Sequence, residues 1–98
     1  MSYNKLLQED RRLTLLRLLA ASPGHEANHY VLQAGLDQMG HNISRDLVQS
    51  ELSWLEEQGL ITLERLDALV VATLNGRGED VCNGRAVVPG VKKPVPGE

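Results

Sequence analysis

Ninety-eight residues leave room for one hydrophobic core, and 42% apolar with 23% charged residues place the chain among globular rather than disordered proteins. A single cysteine, Cys82, excludes an intramolecular disulfide, hence a disulfide-stapled secreted module, and no run approaches the ~20 apolar residues that span a bilayer. The net charge of −3 lacks the basic excess by which many nucleic-acid-binding modules neutralise phosphates. With Met1-Ser2-Tyr3-Asn4-Lys5 leading into a charge-rich stretch, these features set an expectation of a cytoplasmic protein with no membrane partner.

Leucines at 6, 7, 13, 15, 16, 18 and 19 predict a first helix over Tyr3–Ala21 with an unusually wide apolar arc. An arc wider than one small core can cover suggests a homodimer interface, with Leu6, Leu13, Leu15, Leu16 and Leu19 as its residues; coverage by later elements of the same chain is the other reading. Ser22-Pro23-Gly24 ends the helix sterically. A second helix is expected from the cap Asn28 through Tyr30, Val31, Leu32, Leu36 and Met39, stopping at Gly40. Ser44 caps a third helix over 44–58, with Leu47, Val48, Leu52 and Leu55 as its buried stripe.

After Gly59 the period becomes that of strands. Residues 60–65 alternate, residues 68–73 are β-rich, and Leu66-Asp67 is expected as the turn between two strands that have no third partner. A short helix follows at about 75–83 with Val81 and Cys82 inward, then a proline-rich, extended tail. The fold class is thus mainly α with a small β-hairpin, in the winged helix-turn-helix order α-α-α-β-β-α. Residues 1–84 form the domain and 85–98 the tail.

These residues resemble a family. The stretch from Asn42-Ile43-Ser44-Arg45-Asp46-Leu47 to Gln58-Gly59-Leu60 looks like the recognition helix and first strand of ArsR- and MarR-like winged-helix regulators, and Ala72-Thr73-Leu74-Asn75-Gly76-Arg77-Gly78 resembles their exit into a last helix. The whole chain, including Gly84-Arg85-Ala86-Val87-Val88-Pro89-Gly90-Val91-Lys92, is similar to a group of small proteins of Mu-like phages and prophages. The resemblance implies duplex DNA as partner and transcription regulation as role. Metal sensing does not follow, because a soft metal needs several converging thiolates and only Cys82 is present.

His25-Glu26-Ala27-Asn28-His29 matches the zinc-protease pattern H-E-x-x-H, which works only on a continuous helix. Pro23-Gly24 before it and the capping role of Asn28 make the match a coincidence of letters. No metal site, cofactor or enzyme activity is expected. On the third helix, Arg45 can reach guanine, Gln49 adenine, and Ser44, Ser50 and Ser53 bases or phosphate, while Arg65 on the wing offers a phosphate clamp. Against them stand Asp46, Glu51, Glu56 and Glu57, each repulsive near phosphate. Trp54 lies off the apolar stripe and is expected beneath the hairpin; Cys82 reads as a small buried hydrophobe. Lys92 and Lys93 beside the prolines either touch phosphates or keep the tail soluble, and a third possibility is that the tail from Val87 to Val95 docks on a neighbouring protomer. Two functions remain: a homodimeric DNA-binding regulator, and a protein-interaction module serving phage assembly or DNA packaging through a phage protein partner.

Overall fold

In the computed structural model, which describes residues 2–95, the first helix (α1) runs over Tyr3–Ala21. The Ser2 side chain starts it by accepting the Lys5 N–H at 3.2 Å. Leu13, Leu15, Leu16 and Leu19 are all fully buried within the single chain, so the dimer interface expected there is corrected: these leucines fill the protein's own core. Elements pack on several sides of α1, which is why its wide arc finds cover without a second protomer. Leu6, half exposed, is the one residue of that set left with free surface.

Pro23–His25 makes a single 3-10 turn, and the chain then forms a short strand, β1 (Glu26–Asn28). Asn28 caps α2 (His29–Gln38), its side chain accepting the Val31 N–H at 3.0 Å. Leu32 and Leu36 face the core, whereas Tyr30, Val31 and Met39 are exposed. Gly40 (φ 88°) ends the element. Ser44 caps α3 (Arg45–Glu57), accepting the Leu47 N–H at 3.1 Å. Leu47 is also outside the core, at the edge of the stripe formed by Val48, Leu52 and Leu55.

The hairpin consists of β2 (Ile61–Leu66) and β3 (Leu69–Leu74). Its turn is Asp67-Ala68, one residue later than expected, since Leu66 pairs with Leu69 and Asp67 takes the positive φ (55°) that a leucine tolerates poorly. The two strands are not alone. Strand β1 pairs antiparallel with the other edge of β3, giving the order β1-β3-β2, with Ala27 opposite Ala72. Asn75 then caps α4 (Gly76–Cys82), which turns Val81 and Cys82 inward. The described residues therefore form a mixed α/β fold of four α-helices and a three-stranded antiparallel sheet.

The expected free tail is corrected as well. Val88 and Val91 are buried in the common core, the Lys92 N–H donates to Glu9 O at 3.1 Å, and Arg12 Nη1 donates to Gly90 O at 3.1 Å. Burying two valines against α1 removes apolar surface that an extended tail would leave in water. Residues 96–98 of the expected tail lie outside the described residues.

Candidate nucleic-acid interface

Helix α3 has two faces with different chemistry. Toward the core it presents Val48, Leu52 and Leu55, and between them Glu51, which is 3% exposed. Glu51 accepts from Arg11 Nη1 at 2.9 Å and from Arg12 Nε at 3.0 Å, so its charge is matched by two guanidinium groups from α1. The Arg12 guanidinium also lies over the Trp54 ring, 3.7 Å from its centroid. Trp54 is thus held by Arg12 and by close approach of Gly90, on the tail side rather than beneath the hairpin.

The outer face of α3 meets the hairpin in an open groove of about 490 Å³, lined by Asp46, Gln49, Ser50, Ser53, Arg65 and Val70. Gln49, Ser50, Ser53 and Arg65 of the expected DNA-contacting set are therefore brought together. Arg45 stands apart from the lining, its guanidinium 4.7 Å above the centroid of the Tyr30 ring. Ser44 is exposed at the start of the helix, where its hydroxyl already serves as the cap. Of the acids on α3, Glu51 is withdrawn into the core, and Glu56 accepts the Leu63 N–H at 2.9 Å. Asp46 remains in the groove itself.

Reading by residue type missed three participants. Glu51 counted as a repulsive surface acid, although its place between Val48 and Leu55 at helical spacing is the signal of an inward position. Val70 and Tyr30 join the site only through tertiary contacts. The H-E-x-x-H letters divide among the 3-10 turn, β1 and the first residue of α2, and His29 is fully buried with Nδ1 accepting the Val70 N–H at 3.0 Å. Among the described residues no group of three or more His, Cys, Asp or Glu is placed to hold a metal ion. Burial, then the charge of Glu79, pushes the Cys82 thiol above its ordinary pKa, and its Sγ donates to Glu79 O at 3.3 Å. Cys82 is a neutral core residue.

A larger hollow of about 760 Å³ lies among α1, α4 and the tail, with Arg17, Cys82 and Lys93 in its lining. Its rim includes Val95, the last described residue, and none of the expected site residues, so the groove at α3 carries the functional reading.

The chain aligns over 93 residues with the Escherichia phage Mu protein gp26 at 52% identity, covering 95% of this chain and 96% of that one. It belongs to the phage Mu gp26 family. A second gp26-like relative, an uncharacterized protein of Haemophilus influenzae (strain ATCC 51907 / DSM 11121 / KW20 / Rd), is 46% identical over 99 residues, covering 100% of this chain and 95% of its own. That match takes in the tail along with the helices, and the phage Mu match agrees with the phage resemblance of the sequence. Neither gp26 nor the Haemophilus relative carries a name that states a partner or an activity. No family model matches the chain, and no solved structure matches it significantly. Among the described residues no helix is long and apolar enough to cross a membrane.

Proposed function

We propose that this gp26-family chain is a winged-helix protein that binds duplex DNA, with α3 in the major groove and the β2–β3 hairpin as the wing. The observation that carries the reading is the convergence of Gln49, Ser50 and Ser53 from α3 with Arg65 from β2 on one open groove. Gln49 is suited to pairing with adenine and Arg45 to guanine, while Arg65 and the serines suit phosphate and sugar. The order of three helices, hairpin and sheet supports the winged-helix reading, and the burial of Glu51 removes one of the acids that opposed it. The role is binding rather than catalysis, in phage transcription or DNA handling. Any homodimer uses surface other than the enclosed leucines of α1.

A second reading is favoured by Asp46, which lines the groove, and by Glu57, Glu64 and Asp67, which are exposed on α3 and the hairpin. Those acids suit a protein partner in phage assembly or packaging better than a phosphate backbone. Gel shifts of the full chain on phage DNA in a salt series separate the two. Binding that weakens steeply with salt and with Arg45→Ala supports the DNA reading. Absence of a shift at micromolar protein, with nuclease-insensitive recovery of a phage protein, replaces it with the second.

A further inference from the structure

We propose that Tyr30 is a positioning residue for Arg45, holding its guanidinium over the ring at the start of α3, one residue before the groove-lining Asp46; the inference rests on the DNA-binding reading above. Arg45 is the first residue of α3 and is exposed, so its long side chain would otherwise sample many rotamers and lose them on binding. Instead its guanidinium lies 4.7 Å from the Tyr30 ring centroid, a distance suited to cation–π attraction. Tyr30 is itself seated. Its ring lies 4.2 Å from the imidazole of His29, centroid to centroid, tilted by 33°. His29 is fully buried and fixed by accepting the Val70 backbone N–H at 3.0 Å.

This path leads back to the site. Val70 lines the groove and pairs in register with Arg65 across the hairpin. Arg45, at the start of α3, and Arg65, in the groove, are therefore referred to one buried anchor, the first through an aromatic platform and the second through the ladder between β2 and β3. Preorganisation of this kind lowers the ordering cost of each contact made on binding. Both Tyr30 and Arg45 are exposed, so the pair does little for the core, and its evident consequence is the placement of Arg45.

The test is a mixed-sequence DNA duplex titrated at low salt with the full chain and with Tyr30→Leu, Tyr30→Phe, Arg45→Ala and the Tyr30→Leu/Arg45→Ala double variant. Leucine keeps apolar cover over His29 without a ring face, and phenylalanine restores the face. The expected result is an affinity loss of about two- to fivefold for Tyr30→Leu, rescue by Tyr30→Phe, and a double variant no weaker than Arg45→Ala alone. In the free protein, NMR should show ring-current shifts of the Arg45 side-chain protons that vanish in Tyr30→Leu and persist in Tyr30→Phe. Wild-type affinity in Tyr30→Leu, or losses that add in the double variant, overturns this inference and leaves the DNA reading standing. If the wild-type chain binds no duplex, the DNA reading falls and takes this inference with it.

Discussion

The two faces of α3 handle charge in opposite ways. On the inner face Glu51 is enclosed with Arg11 and Arg12, Arg12 also reaches Gly90 O, and the Trp54 ring lies under it, so the one carboxylate is held by two guanidinium groups across α1 and α3 and tied to the tail. On the outer face Asp46, Gln49, Ser50 and Ser53 line an open groove with Arg65, while Arg45 lies apart over the Tyr30 ring. The first arrangement is one that folding completes; the second is one that a partner would complete. Net charge is therefore a poor guide to this helix, because one of its acids never reaches the surface.

If that contrast is right, substitutions on the two faces must report in different experiments. The largest effect is expected from Glu51→Ala, which leaves two guanidinium groups enclosed without their carboxylate and should cost about 3–5 kcal/mol of stability. Urea denaturation measures it, and a variant as stable as the wild type would show that the network does not tie α1 to α3. Gly90→Ala comes next. Its added Cβ would stand 2.8 Å from Trp54 ring carbons, at φ 99° where side chains are strained. A loss of about 1–3 kcal/mol is expected for such overpacking, accompanied by a change in Trp54 fluorescence if the tail lifts.

Asp10 offers a smaller, pH-dependent check on the same side. Burial raises its pKa, but hydrogen bonds from His41 Nε2 (2.7 Å) and Lys92 Nζ (3.4 Å), with their charges, outweigh it and hold the carboxyl below its ordinary 3.8. A carboxyl lowered in the folded state adds stability above its ordinary pKa, and that stability is lost as pH falls through the folded value. Asp10→Asn should therefore flatten the acid limb of the stability profile below about pH 4, and an unchanged limb would show that the Asp10 contacts with His41 and Lys92 add no stability. The smallest change in stability belongs to the groove. Arg65→Ala should stay within about 0.5 kcal/mol of wild type while lowering the salt slope of DNA binding by about one. An unchanged slope would return this face to the protein-partner reading.

Local signals in the chain marked the elements closely. Asn28 and Ser44 cap where their side-chain chemistry predicts, and the leucine spacing delimits α1 at Tyr3–Ala21. Of the candidate site, Gln49, Ser50, Ser53 and Arg65 were legible because their residue types and helical or strand positions suffice to place them outward. Strand β1 was not legible. It is three residues long, and only the free edge of β3, distant in sequence, makes a strand of it. The same holds for Tyr30, whose spacing marks it as apolar helix surface and whose role comes from Arg45 lying over it.

By itself the sequence determined the helix boundaries, the two hairpin strands and the outward placement of Gln49, Ser50 and Ser53, because caps, glycine stops and periodicity act over a few neighbouring residues. Tertiary structure alone decided which charges are spent inside and which face a partner. Glu51 is paired by arginines on α1, the tail valines are drawn into the core, and the leucines once available to a second copy are enclosed. Each of those outcomes depends on desolvation and on groups far apart along the chain, and both are set only when the layers close.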